Sequence, residues 1–482
     1  MMHGRSLVAT GILAWFAGSV LVAGAAAAEN WPHWRGPGAD GISDSANLPV
    51  QWNGQSGQNI VWRKPLPSWS GGTPIIWGDR IFVTSASAPA ADGDAAVQEE
   101  PQRGRAQGRG QRGRGRFGGR GFGGRGFGGR GRRDPGGPSV VLLCISKSDG
   151  NILWERTLDN ENYIENKHNA SSPSPVTDGK HVWVVTGTGV VRAFDFEGNQ
   201  VWRTDLEAEY GDFGLNWGYG SSPILYQDKL IIEVLHGNNT DDPSYIVALS
   251  RATGDEVWRV ERPTDAVRES PDAYTTPVIV THQGRDQIVI SGGDYVTGHD
   301  PQTGREIWRA GGLNPSRSGN WRIIASPFVG DGLVYASGRD GRPLLALKAG
   351  GEGDITASHL AWKWETRGSP DVPTPVCDGT NIYMIDDRGN VTRVNAQTGD
   401  AVWGPVRTAQ GTVSSSPLLA GGRLYVINEQ AVASVLSVEN GDVLATNELD
   451  GEYTLSSFAV SGPQLFIRTA THLYCIGGDS SR

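Results

Sequence analysis

Short runs of alternating apolar residues, separated by turns rich in Gly, Asp and Pro, recur along most of the chain. A typical unit begins with a Ser/Thr-Pro dipeptide, as in SSPILYQDKLIIEV (221–234), and ends with the pattern G-x-x-x-W, as in YIVALSRATGDEVW (245–258). Alternation of apolar and polar residues predicts half-buried strands, and each unit of about 40 to 56 residues holds four of them, a to d. That period and strand content are typical of a β-propeller blade.

Eight such units can be counted. Their aligned strand-c positions are Cys144, Ala193, Ala248, Gly298, Ala346, Arg393, Val435 and Cys475, most of them small, as close packing between blades requires. The C-terminal stretch contains strands a, b and c of the last unit but no strand d, whereas Trp62 lies in an unassigned run, NIVWRKPL. We therefore predict an all-β, eight-bladed β-propeller of four-stranded antiparallel blades over residues 59–477. An N-terminal strand closes the last blade and removes a free sheet edge.

The two ends of the chain lie outside this repeat. Residues 1–28 contain Arg5, an apolar run from Leu7 to Val22 and small residues ending at Ala28, which predicts a signal peptide cleaved after Ala28 and a periplasmic or secreted protein. No later apolar run is long enough to predict a membrane span. Residues 29–58 form an N-terminal extension and residues 478–482 a tail. The three Cys are too scattered for a disulfide framework or a thiolate metal site, and we interpret them as buried side chains.

The formal net charge of −9 averages two opposed regions. Residues 101–133 contain eleven Arg and fourteen Gly but no Asp or Glu, so the rest of the chain is strongly acidic. This balance argues against a wholly basic nucleic-acid-binding fold. Residues 87–138 are predicted to be a disordered insertion in the b–c connection of blade 1. They are interpreted either as a tolerated low-complexity loop or as a polyanion-binding segment carried by Arg103, Arg105, Arg109, Arg112, Arg114, Arg116, Arg120, Arg125, Arg130, Arg132 and Arg133.

The repeats resemble the pyrroloquinoline-quinone-like (PQQ-like) β-propeller repeat, A-x-D-x-x-T-G-x-x-x-W. The stretches AFDFEGNQVW, ALSRATGDEVW and VNAQTGDAVW approach this pattern. The motif W-x-x-W-R-G-P-x-x-x-G, from Trp31 to Gly41, is similar to exported bacterial members of the superfamily that resemble BamB, the lipoprotein of outer-membrane β-barrel assembly. The resemblance implies the fold but not one function, because propellers carry unrelated activities.

Two activities implied by the resemblance can be compared with the residues present. Quinoprotein dehydrogenases of the superfamily hold the quinone and Ca²⁺ at the propeller centre, usually beside an adjacent Cys pair. This chain has no adjacent Cys pair and no Cys-x-x-Cys-His haem motif, so no cofactor is predicted, although the resemblance leaves PQQ and Ca²⁺ open. The assembly lipoprotein has a lipidated Cys that is missing here. The favoured hypothesis is a monomeric, non-catalytic scaffold in outer-membrane or envelope biogenesis that binds an envelope protein or polymer. The alternatives are a PQQ-dependent dehydrogenase and a polyanion-binding protein.

The connections differ in length between the two faces of the predicted propeller. The a–b turns and most c–d turns are tight, whereas the d–a connections and the b–c connection HGNNTDDP are long. These long connections leave the same face as the b–c connection of blade 1, which carries the Arg/Gly segment. Because binding residues concentrate on long loops held by a rigid scaffold, we predict that this long-loop face is functional. Its candidate binding residues are Lys167, His168, Asn169, Trp217, Tyr219, Asp241, Asp242, Trp321 and Arg322. Purely structural roles stay open for each of them, such as backbone bonding by His168 or a turn at Asp241-Asp242.

Overall fold

Eight four-stranded antiparallel sheets follow one another around a single axis in the computed structural model, which describes Met1 and residues 30–89, 136–165, 167–339, 342–366 and 368–477. The predicted all-β, eight-bladed propeller is therefore confirmed. The signal-peptide segment and the eleven Arg of the insertion lie outside the described residues. Strands β4 and β5, which flank the insertion, pair directly from Ala86 with Val140.

Two strands precede the first blade, β1 (Ile42–Ser43) and β2 (Ile60–Pro65). Blade 1 consists of β3 (Ile75–Trp77), β4 (Arg80–Ala86), β5 (Val140–Ser146) and β6 (Ile152–Asp159). The hairpin β7 (Ile164–Glu165) and β8 (His168–Asn169) leads to blade 2, with β9 (Val176–Thr177), β10 (His181–Val185), β11 (Val190–Asp195) and β12 (Gln200–Asp205). After helix α1 (Leu206–Tyr210), blade 3 contains β13 (Ile224–Tyr226), β14 (Lys229–Val234), β15 (Tyr245–Ser250) and β16 (Glu256–Glu261). Blade 4 contains β17 (Val278–His282), β18 (Arg285–Gly292), β19 (Tyr295–His299) and β20 (Glu306–Ala310).

The second half of the ring repeats this arrangement. Blade 5 contains β21 (Phe328–Gly330), β22 (Leu333–Ser337), β23 (Leu344–Lys348) and β25 (Leu360–Trp364), with β24 (Gly353–Asp354) pairing in parallel on the outer strand of blade 4. Blade 6 contains β26 (Val376–Cys377), β27 (Asn381–Ile385), β28 (Asn390–Asn395) and β29 (Ala401–Arg407). Blade 7 contains β30 (Leu418–Ala420), β31 (Arg423–Ile427), β32 (Val432–Ser437) and β33 (Val443–Glu448). Blade 8 contains β34 (Ala459–Ser461), β35 (Gln464–Arg468) and β36 (His472–Ile476).

The N-terminal strand β2 supplies the missing outer strand of blade 8. It pairs antiparallel with β36, and Trp62 lies opposite Cys475. In blades 1 to 6 the predicted strand-c residue likewise lies opposite the strand-d Trp, and in blade 7 Val435 lies opposite Ala445. The predicted closure by an N-terminal strand is thus confirmed. The three Cys are buried and unpaired.

The strand-d Trp residues also join neighbouring blades. Trp202 of blade 2 donates its indole N–H to the carbonyl of Arg251 in the c–d turn of blade 3, at 2.9 Å. Its ring covers Gly254, where an added Cβ would lie 2.5 Å from the ring. Trp62, Trp154, Trp258, Trp362 and Trp403 bond the c–d turn of the next blade in the same way. The Gly of each G-x-x-x-W motif therefore accommodates the Trp of the preceding blade.

A closed ring of eight hydrogen bonds surrounds the propeller axis, one at the start of each inner strand. Each backbone N–H donates to the hydroxyl oxygen of the equivalent residue in the next blade, at 2.9 to 3.1 Å. The members, in order, are Thr73, Ser174, Ser222, Thr276, Ser326, Thr374, Ser416 and Ser457. We call this set the hydroxyl ring. It explains the Ser/Thr of the recurring Ser/Thr-Pro dipeptide.

The N-terminal motif W-x-x-W-R-G-P-x-x-x-G crosses the channel on the a–b turn side of the hydroxyl ring. The backbone of Trp31 pairs with Ile76 of blade 1, and the guanidinium of Arg35 donates to the carbonyls of Thr374 and Pro375 of blade 6 at 2.8 and 2.6 Å. Strand β1 then pairs in parallel with β30 of blade 7. We call residues 31–43 the plug. They connect the inner strand of blade 1 with those of blades 6 and 7 across the channel.

A hydroxyl-lined pocket on the long-loop face

The channel opens on the long-loop face as a blind pocket with a volume of about 250 Å³. All eight residues of the hydroxyl ring line it, and Trp34 of the plug also contributes to its lining. Each ring hydroxyl accepts one backbone N–H and keeps its own proton, so the ring also offers O–H donors. The indole Nε1 of Trp34 is buried and, within the described residues, has no hydrogen-bond partner. The inner part of this central pocket is therefore rich in hydrogen-bond donors.

The mouth of the central pocket has a cationic side chain held by a buried carboxylate. Lys167 follows the first strand of the β7–β8 hairpin, and its Nζ lies 2.7 Å from Oε1 of Glu429. The side chain of Glu429 is only 7% exposed, and Ser414 donates to the same oxygen at 2.6 Å. Because a buried carboxylate needs a partner, this pair fixes the ammonium at the mouth.

An aromatic wall stands on another side of the mouth. The guanidinium of Arg322 lies 4.9 Å from the ring centre of Trp217, and its Nη1 is 3.8 Å from Oε1 of Glu269. The indole N–H of Trp217 donates to that same carboxylate oxygen at 2.9 Å, and its backbone N–H donates to the hydroxyl of Tyr274 at 3.0 Å. Arg322 and Trp217 are thus held in place before any partner binds.

His168 lies between these two features and is neutral at physiological pH. Its Nδ1 is 2.9 Å from the carbonyl of Trp217, and its ring centre lies 5.8 Å from that of Tyr274. Burial, and then the charge of Lys167, lower the pKa of His168 to about 4, against the raising effect of the Trp217 carbonyl. A neutral imidazole that orients the aromatic wall is the role this geometry supports.

Two carboxylates, Asp371 and Asp387, form the remaining side of the central pocket. The backbone N–H of Val372 donates to Oδ1 of Asp387 at 3.2 Å. Burial and the nearby charge of Asp371 raise the pKa of Asp387 to about 7. The mouth therefore carries both cationic side chains and carboxylates.

The nine predicted binding residues lie in three kinds of place. Lys167, His168, Trp217 and Arg322 line the central pocket. Asn169 and Tyr219 are buried; the Asn169 amide donates to the Trp69 carbonyl and the Tyr219 hydroxyl to the Glu233 carbonyl. Asp241 and Asp242 are exposed in the b–c connection of blade 3, and Trp321 donates its indole N–H to the Leu313 carbonyl. The last three do not line the central pocket.

Sequence reasoning missed Trp34, Tyr274, Asp371 and Asp387. A signal existed for Trp34, since it is the second Trp of the N-terminal motif, and for the hydroxyl ring, since its members recur in the repeat. Nothing in the sequence distinguishes Tyr274, Asp371 or Asp387 from other residues of long connections.

The described residues do not match the quinone–Ca²⁺ arrangement of the dehydrogenases. Ca²⁺ is bound by six to eight oxygen ligands, and the described part of the chain contains no group of three His, Cys, Asp or Glu side chains that could hold a metal ion. The central pocket offers one carboxylate pair, Asp371 and Asp387, while the plug occupies the channel below it. Within the described ranges, no helix is long and apolar enough to cross a membrane.

Comparisons with known proteins agree with this architecture. A family model described as outer membrane protein assembly factor BamB matches residues 137–405 and 243–481. BamB of Yersinia pestis is 23% identical over 330 residues, which cover 66% of this chain and 75% of that protein. BamB of Alkalilimnicola ehrlichii is 28% identical over 178 residues, 34% of this chain and 44% of that protein. Quinohemoprotein alcohol dehydrogenase ADH-IIG of Pseudomonas putida is 22% identical over 276 residues, 52% of this chain and only 33% of that enzyme.

Solved structures show the same fold at lower identity. The crystal structure of BamB from Moraxella catarrhalis matches with a TM-score of 0.50 and 17% identity, covering 70% of this chain and 91% of that one. A europium-containing methanol dehydrogenase matches with a TM-score of 0.61 and 11% identity, covering 93% and 98%. At this level of identity the structural likeness shows the fold alone. The predicted resemblance to PQQ-like, BamB-like propellers is confirmed, and the chain belongs to the family described as outer membrane protein assembly factor BamB.

Proposed function

We propose that this protein is a non-catalytic scaffold of the cell envelope that binds a protein partner through its long-loop face. The observation that carries the proposal is the Arg322–Trp217–Glu269 arrangement at the mouth of the central pocket. Trp and Arg are the residues that most often dominate binding energy at protein interfaces, above all when they are rigid before binding. Membership of a family described as an assembly factor supports the same direction.

Charge on the long-loop face supports a protein partner over a uniform polyanion. Lys167 and Arg322 lie at the mouth together with the carboxylates Asp371 and Asp387. A surface that carries both signs of charge selects a partner with complementary charges and fixes its orientation. Val267, in the d–a connection between blades 3 and 4, is 54% exposed and adds an apolar contact on the same face.

Site-specific photo-crosslinking in the native envelope tests this proposal. A photoreactive phenylalanine analogue is placed at Val267 or Asp241 on the long-loop face, and at Lys180 or Arg285, which are exposed in a–b turns on the opposite face. We expect one discrete protein adduct from the first pair and none from the second. Arg322→Ala should reduce that adduct at least about fivefold, and the matched variant Arg285→Ala should leave it unchanged. Equal labelling from both faces, or an adduct that ignores Arg322→Ala, would refute the proposal.

A further inference from the structure

A second cavity, with a volume of about 710 Å³, lies between blades 5 and 6 on the long-loop face. It runs from the outer strand of blade 5 at Trp364 to the b–c turn of blade 6. Asp371 and Asp387 line both this radial cleft and the central pocket. The two cavities are therefore adjacent, and this carboxylate pair contributes to the lining of both.

Two residues that line the radial cleft carry buried polar atoms with no hydrogen-bond partner in the described part of the chain. The hydroxyl of Ser369, a residue that is 3% exposed, and the indole Nε1 of Trp364 have no hydrogen-bond partner among the described residues. Both residues line the cleft. Because an unpaired buried polar group costs about 1 to 3 kcal/mol, two such groups on residues that line one cavity favour an occupant that forms hydrogen bonds with them.

A bulge in blade 6 creates the space for this occupant. Val391 pairs with Val406 and Arg393 with Trp403, so Gly404 and Pro405 together face the single residue Thr392. Gly404 has a φ of +105°, and an added Cβ would lie 2.6 Å from the Val391 carbonyl oxygen, so only glycine fits there. Bulges of this kind are concentrated beside binding sites, where they redirect a side chain.

We infer that the radial cleft binds a saccharide unit, the outer residue of a linear glycan whose next unit reaches the central pocket. The cleft combines an aromatic side chain, Trp364, with the hydroxyls of Ser369 and Thr392, the carboxylates of Asp371, Asp386 and Asp387, and the guanidinium groups of Arg342 and Arg388, so that both signs of charge balance along it. Closely spaced donors and acceptors with a single aromatic group suit a neutral polyhydroxylated ligand. An extended peptide would need a row of main-chain partners and alternate apolar pockets, which these lining residues do not supply.

Titration of the purified full chain with uncharged tetrasaccharides tests this inference. The probes are maltotetraose, cellotetraose and N-acetylchitotetraose, with tetra-alanine as a peptide probe, followed by calorimetry up to about 10 mM. We expect at least one tetrasaccharide to bind and tetra-alanine not to bind. Trp364→Phe, which keeps a ring but removes the indole N–H, and Ser369→Ala should each weaken binding about three- to tenfold, the loss of one hydrogen bond.

The control variant Arg285→Ala, exposed on the opposite face, should bind with unchanged affinity. A melting curve for each variant separates lost binding from lost folding. Binding of no tetrasaccharide, binding of the peptide alone, or affinity unchanged in both Trp364→Phe and Ser369→Ala would overturn the inference. This result is independent of the protein partner proposed above, because the titration contains no second protein.

Discussion

The backbone N–H of Ser457 donates to the hydroxyl oxygen of Thr73 at 3.1 Å, although the two residues are 384 positions apart in the chain. This bond completes the hydroxyl ring between blade 8 and blade 1. Every member is at least nine-tenths buried, so each hydrogen bond of the ring satisfies a buried backbone N–H. The ring thus ties the first blade to the last without a covalent link.

Replacing Thr73 by Val should therefore destabilise the propeller. The valine is nearly isosteric but cannot accept the Ser457 N–H, and we expect a loss of about 1 to 3 kcal/mol in the free energy of unfolding. Thr73→Ser keeps the acceptor and should cost less than half as much. Denaturant unfolding of the purified variants measures both values. Equal losses of unfolding free energy in Thr73→Val and Thr73→Ser would show that the hydrogen bond to the Thr73 hydroxyl contributes little.

The Trp–Gly contact between blades allows a matched comparison of two glycines. Gly254 and Gly284 have φ values of +79° and +75°, but only Gly254 lies under a ring, that of Trp202. Gly284→Ala should cost about 1 kcal/mol from the backbone conformation alone. Gly254→Ala should cost about 1 to 3 kcal/mol more, because the methyl group displaces the indole. Similar unfolding free energies for the two variants would mean that the indole of Trp202 moves aside without strain.

Arg35 should hold the plug in the channel. Its buried guanidinium donates to the carbonyls of Thr374 and Pro375 and, at 2.6 Å, to that of Asp40. In Arg35→Met these carbonyls lose their donors, at about 1 to 3 kcal/mol each while the plug stays bound. We expect the plug to dissociate and become sensitive to chymotrypsin-like cleavage after Trp34, while β2 stays paired. A fragment pattern identical to that of the unmodified protein would contradict this expectation.

The raised pKa of Asp387 predicts a pH-dependent stability. Its pKa of about 7 in the folded chain exceeds its ordinary value of 3.8, so the fold favours the protonated carboxyl. Stability from this group is therefore present below pH 4 and is lost as pH rises towards 7. The groups facing it are Asp371, which raises this pKa, and the Val372 N–H and Lys167, which lower it.

Asp387→Asn stays neutral at every pH and can still accept the Val372 N–H. We expect it to be more stable than the unmodified protein at pH 8, by about 1 to 2 kcal/mol after allowance for partial exposure, and equal to it near pH 4. Thermal unfolding across this range measures the difference, with exposed Asp241→Asn as the control. If the stability difference between Asp387→Asn and the unmodified protein did not change with pH, ionisation of Asp387 would not destabilise the fold.

The blades could be predicted from sequence because their signals are local. The pattern G-x-x-x-W gave the register of Ala248 with Trp258, since both residues belong to one hairpin. Even the pairing of Trp62 with Cys475, which closes the propeller, could be predicted from a count of strands. The hydroxyl ring was visible only as a recurring Ser or Thr, because its bonds depend on the angle between blades.

The central pocket was harder to predict from the sequence than the blades. Lys167, Trp217 and Arg322 could be selected as charged or aromatic residues of long connections, and all three line the pocket. Their burial, and the contact of Lys167 with Glu429 across 262 positions, depend on how eight connections converge on the axis. Asp371 and Asp387 became notable only when the radial cleft and the central pocket were seen to share them.

The pairing of β2 with β36 also constrains the order of folding. Strand β2 precedes every complete blade, but its partner strand begins at His472, so blade 8 cannot form until nearly the whole chain is available. A chain emerging from its N-terminus must keep the unpaired strand β2 from pairing with a wrong neighbour until then. Contacts between residues that are so far apart in the sequence form slowly. Ring closure is therefore the natural candidate for the slow step, and for the step at which this protein would depend on a chaperone.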